Sequence, residues 1–309
     1  MSALGQAAAE YLALRRALGY ELEAHGPMLA RFVEFLDARG EAVITTPLAL
    51  EWATQPADAT PERWRQRLSI ARGFARYRQA FDARTEVPAI ELLPGKFRRA
   101  IPYLYSEAEI QQLMVATART FRSPLKSATF ETLIGLLSVT GMRVGEAIAL
   151  DRADVELEAH RLTIRHAKGG KSREIPLHPS TVVALDSYAR VRDERCPDPA
   201  DPSFLLSTAG TRLRYPNVWN AFDRLRDASG LDRETLGRPA RMHDVRHAFV
   251  LRTLLGWYRD EVDVEAKLPL LATFLGHVDP VSTYWYFEGA PQLLALAAQR
   301  LERTWKEPS

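Results

Sequence analysis

The chain has 309 residues, 46% of them hydrophobic, and its 41 Lys and Arg residues nearly balance its 39 Asp and Glu residues, for a formal net charge of +2. This length suits one large domain or two ordinary ones, and the sequence has neither a run of about 18 apolar residues nor a basic-then-apolar signal peptide. The single Cys196 excludes an internal disulfide and a cysteine-based zinc site, so we expect a cytoplasmic globular protein with no membrane partner.

Residues 1–95 have the pattern of short amphipathic helices with clear start signals. Thr46-Pro47 and Thr60-Pro61 each place an N-cap residue before a proline at the first helical position. The second pair begins a helix that we expect to run from Pro61 to about Phe81. One stripe of this helix is apolar and consists of Trp64, Leu68, Ala71 and Ala75. An offset stripe is basic and consists of Arg65, Arg72 and Arg76.

Charge changes sharply along this first part of the chain. Residues 1–60 hold four basic and eight acidic residues, whereas residues 61–101 hold ten basic and four acidic residues. A basic segment in a near-neutral chain is typical of a surface that faces phosphate, although a solvated helix face gives the same charge pattern. Prolines interrupt residues 86–102, so we place a basic linker at 96–102, between a domain of residues 1–95 and a second of residues 103–309. The candidate DNA-binding residues here are Arg65, Arg72, Arg76, Lys96, Arg98 and Arg99.

The second domain mixes helices with short strands. A capping box at Ser106–Glu109 begins a helix, and Phe130–Val139 has the pattern of a buried helix. Arg161–His166 alternates like a strand, Arg173–Leu177 follows as its partner, and the glycine-containing residues 167–171 form the turn between them. The expected fold class is therefore mostly α with a small β-sheet.

Residues suited to phosphoryl transfer lie in separate motifs of this domain. Thr140–Glu146 and Met242–His247 each contain an arginine, and Leu275-Gly276-His277 precedes Tyr286 by nine residues. Guanidiniums bind phosphate oxygens in a fork geometry, and a tyrosine hydroxyl can attack phosphorus. A single arginine is more often a surface ion pair, and a lone histidine is more often structural. The presence of all these motifs in one order favours a phosphate site.

The order and spacing of the motifs resemble the tyrosine recombinase (phage integrase) family. The stretch Ser-Thr-Tyr-Trp-Tyr at 282–286 is most similar to integrases carried by transposons and other mobile elements. The resemblance implies a helical core-binding domain and a mixed catalytic domain that together clamp duplex DNA. It assigns catalytic roles to Arg143, Lys168, His243, Arg246, His277 and Tyr286.

The resemblance also identifies alternatives and supporting residues. Ala-Lys-Gly-Gly-Lys-Ser-Arg at 167–173 is similar to the family's Gly-Lys-Gly-Asn-Lys-Glu-Arg, which makes Lys168 the general acid. Lys171 is the other candidate for the general acid; otherwise it would contact the DNA backbone. A basic hairpin tip without catalytic function gives the same sequence pattern. Glu146 can brace Arg143 from one helical turn away. The spacing from the Leu-Gly-His motif favours Tyr286 over Tyr284 as the nucleophile.

The implied activity is site-specific recombination. A homotetramer on two duplex DNA sites would exchange strands through a 3′-phosphotyrosine and a Holliday junction, without metal, ATP or another cofactor. His243 and His247 have the spacing of a zinc-protease helix, but Asp244 stands where that motif needs glutamate. Two other functions stay open: a type IB topoisomerase, which uses the same chemistry, and a DNA-binding accessory protein without catalysis.

The last helix that the sequence predicts is relevant to the assembly of subunits. It is expected to begin at Pro291 and to present an apolar face that includes Leu293. This face would pack either on its own domain or, as the resemblance implies, on a neighbouring subunit.

Overall fold

A computed structural model gives the fold and describes residues 2–20, 22, 25–94, 102–165, 172–231 and 239–276, together with 293, 296 and 298. The chain divides into two compact units, Met1–Arg99 and Ala100–Ser309. This division falls within the basic segment 96–102, most of which lies outside the described residues. In the described ranges, no helix is both long enough and apolar enough to cross a membrane.

The first unit is built from helices. They are α1 (Ala3–Ala17), α2 (His25–Asp37), α3 (Thr46–Thr54) and α4 (Pro61–Gln79). Thr60 caps α4 as expected, because its hydroxyl accepts from the N–H of Arg63. The cap of α3 is Thr45 rather than Thr46, since the extended backbone of Thr45 lets its hydroxyl accept from Leu48. The largest fully buried side chains of this unit include Phe32, Leu36, Trp52, Leu68 and Phe74.

The second unit combines helices with one antiparallel sheet. Its helices are α5 (Glu107–Thr120), α6 (Pro124–Thr140), α7 (Val144–Ala149), α8 (Pro179–Arg195), α9 (Tyr215–Ala228), α10 (Met242–Arg259) and α11 (Val264–Leu275). Its strands are β1 (Val155–Glu156), β2 (Arg161–Ile164) and β3 (Arg173–Pro176), paired in the order β1-β2-β3. The expected fold class, mostly α with a small sheet, is confirmed.

Several element boundaries differ from those that the sequence predicted. The capping box of Ser106 and Glu109 is present at the start of α5. The buried helix α6 begins at Pro124, well before Phe130, because Ser123 supplies its N-cap. β1 was not predicted, since two residues are too few to show alternation. His166 and the turn 167–171 lie outside the described residues.

Two apolar clusters hold the second unit in shape. α6 is buried along much of its length and packs against α5, α8 and α10. A separate cluster joins α10 to α11 through residues such as Val250, Leu254 and Leu271, and Leu293 is fully buried in it. Each such side chain contributes about 1.5–3 kcal/mol when fully buried. Leu293 therefore packs on its own chain, and this cluster fixes the two helices that carry the candidate site.

Candidate active site

Arg143 lies at a sharp connection between α6 and α7. α6 ends at Thr140, and Gly141 takes the left-handed conformation with φ of +61°. A Cβ at Gly141 would lie 2.3 Å from Cδ1 of Phe249, so glycine alone fits this turn. Two residues later, Arg143 adopts the extended backbone of an N-cap and starts α7.

The guanidinium of Arg143 is held by two acceptors. Its Nη1 donates to Oε1 of Glu146 at 2.8 Å, and its Nη2 donates to the carbonyl of Gly276 at 3.1 Å. The backbone N–H of Arg143 also donates to Oε2 of Glu146 at 2.8 Å. The Arg143 side chain nevertheless keeps 29% of its surface exposed, so it is accessible to a bound anion.

Glu146 joins Arg143 to a second arginine, Arg173, at the start of β3. Nη1 and Nη2 of Arg173 donate to the two oxygens of Glu146 at 3.0 and 2.8 Å, which is a bidentate pair. Burial raises the pKa of the Glu146 carboxyl, but hydrogen bonds from Arg173 and from the Arg143 backbone, with the charges of both guanidiniums, lower it below its ordinary value overall. Glu146 is therefore ionised at neutral pH, and the stability that this charge contributes is lost only as the pH falls through the lowered pKa.

Three arginines converge on the C-terminal end of α11. The last carbonyls of a helix lack intrahelical partners and carry partial negative charge, which favours cations there. The donor and acceptor pairs are Arg173 Nε to Phe274 O at 2.8 Å, Arg246 Nη2 to Leu275 O at 2.9 Å and Arg143 Nη2 to Gly276 O at 3.1 Å. Three guanidiniums therefore contact consecutive carbonyls, and the carboxylate of Glu146 joins those of Arg143 and Arg173.

Arg246 is the buried member of this group, with 3% of its surface exposed. Its Nη1 donates to the carbonyl of Gly141 at 2.7 Å, and its Nη2 contacts Leu275 as described. Removing a charge from water is costly unless hydrogen bonds replace those of the solvent. The guanidinium meets that requirement while tying the end of α6 to the end of α11.

His243 and His247 stand on successive turns of α10. Their ring centroids are 5.0 Å apart, and the rings meet edge to face. His243 is exposed one turn before Arg246, whereas His247 is half-buried. Asp244 between them is buried. Its Oδ2 accepts from the backbone N–H of Arg241, the N-cap residue of α10. Among the residues that the structure describes, no three His, Cys, Asp or Glu side chains are grouped as metal ligands.

The remaining candidates of the second unit lie outside the described residues. They are Lys168, Lys171, His277, Tyr284 and Tyr286. Their roles stay sequence-based predictions, but some of their chain neighbours are placed. Ile164 pairs with Arg173, whose guanidinium contacts Glu146, and both lysines lie between these two paired residues in the sequence. Gly276, which caps α11, immediately precedes His277.

The three candidate DNA-binding arginines of α4 have different surroundings. Arg72 donates from Nε and Nη2 to the carbonyls of Pro88 and Ala89 at 2.7 and 2.9 Å, which fixes the chain after the helix. Arg65 pairs with Glu62 at 2.6 Å, and Arg76 is exposed. Lys96, Arg98 and Arg99 lie outside the described residues, so their DNA contacts stay predictions.

Arg173 belongs to this cluster although no sequence motif indicated a role for it. A Cβ at Gly276 would lie 2.5 Å from its Nη1, so the glycine before His277 makes room for this guanidinium. The available signal was its place as the last residue of the basic segment 167–173. The resemblance assigned a role in this segment to its lysines instead.

Comparison with known proteins identifies the family. The pattern of the phage integrase family matches residues 104–292, more than half of the chain. The chain belongs to the phage integrase family. It is 44% identical over 312 residues to the integrase/recombinase y4rB of Sinorhizobium fredii, covering 99% of both chains. The resemblance to tyrosine recombinases is thus confirmed, and the chain is an enzyme of that family.

Solved structures of integrases share the fold. The Tn1549 transposon integrase in complex with transposon right end DNA matches with a TM-score of 0.67 and 15% identity, over 96% of this chain and 98% of that one. A lambda integrase tetramer bound to a Holliday junction matches with a TM-score of 0.60 and 18% identity, over 91% and 79%. At these identities the likeness shows the integrase fold.

Proposed function

We propose that this integrase-family chain is a site-specific recombinase that cuts and rejoins duplex DNA through a tyrosine-linked intermediate. The observation that carries the proposal is the convergence of Arg143, Arg173 and Arg246 on the end of α11. Arg143 shares the carboxylate of Glu146 with Arg173 and keeps 29% of its side chain exposed, so a guanidinium accessible to an anion is held at a fixed position. A phosphodiester under attack gains negative charge, which preorganised guanidiniums stabilise.

In the proposed cleavage step, Arg143 and Arg246 bind the non-bridging oxygens of one DNA phosphate. The hydroxyl oxygen of Tyr286 attacks the phosphorus and forms a 3′-phosphotyrosine, while the bond to the 5′-oxygen breaks. Lys168 donates a proton to that leaving oxygen, so that a 5′-hydroxyl departs. The guanidiniums supply the positive charge, and the step is expected to need no metal ion.

The two histidines are proposed to serve the tyrosine and the phosphate. His243 is exposed one turn before Arg246, and with His277 it would accept the phenolic proton or hydrogen-bond a phosphate oxygen. The phosphotyrosine retains the energy of the original ester. The 5′-hydroxyl of a second strand can therefore reverse the step and join a new strand without ATP.

We infer that the partner is duplex DNA with paired recognition sites, bound by four copies of this chain. Residues 1–95 and the linker 96–102 would clamp the duplex with the catalytic residues 103–309. Strand exchange would pass through a Holliday junction. The lambda integrase tetramer on a Holliday junction and the Tn1549 integrase on transposon-end DNA support this inference through their shared fold.

Covalent trapping tests the proposed function. Incubated in excess EDTA with a pool of nicked duplexes tiled over the DNA that flanks the gene, the chain should form a detergent-resistant adduct at a 3′ end, because a nick prevents religation. Sequencing the trapped DNA would identify the site, and two such sites should then recombine. Adducts that form only after Mg²⁺ or Zn²⁺ is added would contradict the mechanism. Relaxation of supercoiled DNA without two-site exchange would indicate a topoisomerase.

Salt dependence tests the basic stripe of α4. Neutralising Arg65, Arg72 and Arg76 together should flatten the slope of log affinity against log salt by up to about 2–3 units, since each phosphate contact contributes roughly 0.9. Arg76→Gln alone should give about a third of this effect, because it removes one of the three charges. It also leaves the carbonyl contacts of Arg72 intact. Arg39→Gln, which removes an exposed pair with Glu51, is the control and should not alter the slope. An unchanged slope in the triple variant would mean that the stripe faces solvent.

A further inference from the structure

Arg173 extends from its strand into the candidate site. Its backbone belongs to β3 and pairs with Ile164, but its guanidinium leaves the sheet to contact Glu146 and the carbonyl of Phe274. Only 12% of the side chain is exposed. Arg161 offers a contrast on the same sheet: its side chain is 42% exposed and pairs with Glu156 and Glu174 at the surface.

We propose that Arg173 is a positioning residue, which holds the carboxylate of Glu146 so that Arg143 stays oriented and available to the DNA phosphate. This inference rests on the proposed function, because it assigns Arg173 a task in the cleavage step. Arg173 occupies both oxygens of Glu146, and Arg143 shares only Oε1 through its side chain.

The sharing of one carboxylate explains why a second arginine is needed. Without Arg173, Oε2 of Glu146 would keep only its bond from the backbone N–H of Arg143. Each carboxylate oxygen would then have an acceptor site for a bidentate pair with the Arg143 guanidinium, the geometry that arginine and carboxylate prefer. That pair would draw the Arg143 guanidinium away from Gly276, where Nη2 now donates at 3.1 Å. It would also neutralise the charge that the phosphate requires. Arg173 prevents this by taking part of the negative charge.

The contacts of Arg173 require an arginine. Nε, Nη1 and Nη2 each donate to a different acceptor oxygen, and Gly276 leaves space for the planar group. Lysine keeps the charge but has one nitrogen, so it cannot hold Glu146 bidentately and reach Phe274 together. Arg173→Lys therefore separates geometry from charge.

The first experiment measures single-turnover cleavage by the full chain on the nicked duplex that the wild type selects. Arg173→Lys and Arg173→Gln should cleave about 10- to 100-fold more slowly, as is typical when a partner that orients a functional group is lost. DNA affinity, measured at a temperature where each variant is folded, should stay close to that of the wild type. The melting temperatures should fall, because both variants lose contacts to the buried carboxylate of Glu146. Arg161→Lys is the matched control and should cleave at the wild-type rate. Cleavage by Arg173→Lys at the rate of this control would overturn the proposal.

The second experiment tests whether Arg173 acts through Glu146. Glu146→Gln alters the same contact from the other side with little change in volume, so it remains informative if an Arg173 variant folds poorly. If Arg173 acts through Glu146, the double variant Arg173→Gln/Glu146→Gln should cleave no more slowly than the slower single variant. Losses that multiply in the double variant would overturn the proposal while leaving the recombinase function intact. A wild-type chain that forms no adduct would overturn the proposed function, and this inference with it.

Discussion

Replacing Tyr286 with phenylalanine should abolish covalent attachment to DNA and leave DNA binding almost unchanged. The substitution removes only the hydroxyl that the proposal assigns as nucleophile. A free tyrosine has a pKa of about 10, so attack at neutral pH needs a base or a cationic field to remove the proton. The guanidiniums of the arginine cluster are proposed to supply that field. Adduct formation on the nicked duplex, with affinity measured by gel shift, gives the two readouts.

Tyr284 provides the matched control, because it lies two residues earlier in the same stretch. Tyr284→Phe makes the same chemical change and should form the adduct at close to the wild-type rate. The opposite result, in which Tyr286→Phe forms the adduct and Tyr284→Phe does not, would move the nucleophile to Tyr284. Loss of the adduct in both variants, with DNA binding intact, would mean that covalent attachment requires both hydroxyls.

The fold was predictable where short-range signals determine it. The capping box of Ser106 and Glu109 and the Thr60 cap of α4 involve residues three positions apart, and both are present. The pairing of β2 with β3 followed from alternation on each side of a glycine-containing turn. β1 was not predicted because it has only two residues. The N-cap of α3 is Thr45 rather than the predicted Thr46, because two threonines stand in succession.

The site was predictable only where its contacts are local. The side chain of Glu146 meets Arg143 one helical turn away, and the sequence spacing suggested that contact. The pair of Arg173 with Glu146 spans 27 residues, and its contact with Phe274 spans 101. Such distances carry no periodic signal, and a residue at the start of a strand is usually assigned to the sheet. The contacts of β3 with α7 and α11 create this part of the site, so only the folded chain reveals it.

Arg246→Lys and Arg143→Lys should each lose most DNA cleavage. Lysine retains the charge but cannot bind a phosphate in the fork geometry of a guanidinium. The loss of one such contact to a developing oxyanion typically costs about 2.7–4 kcal/mol, or roughly 100- to 1000-fold in rate. Single-turnover cleavage of the nicked duplex measures this loss directly. A rate near that of the wild type in either variant would remove that arginine from the site.

The two arginines should differ in what they contribute to folding, which separates catalysis from stability. Arg246 is buried and joins Gly141 to Leu275, so a lysine there leaves one carbonyl unsatisfied and should also lower the melting temperature. Arg143 is partly exposed, so its lysine variant should melt close to the wild type while cleaving as poorly as Arg246→Lys. Arg252→Lys is the control on the same helix, because Arg252 also donates to a carbonyl, that of Ser138 in α6, and pairs with Glu107 of α5. If all three variants lost cleavage in proportion to their melting temperatures, the arginines would be structural and the phosphate site would lie elsewhere.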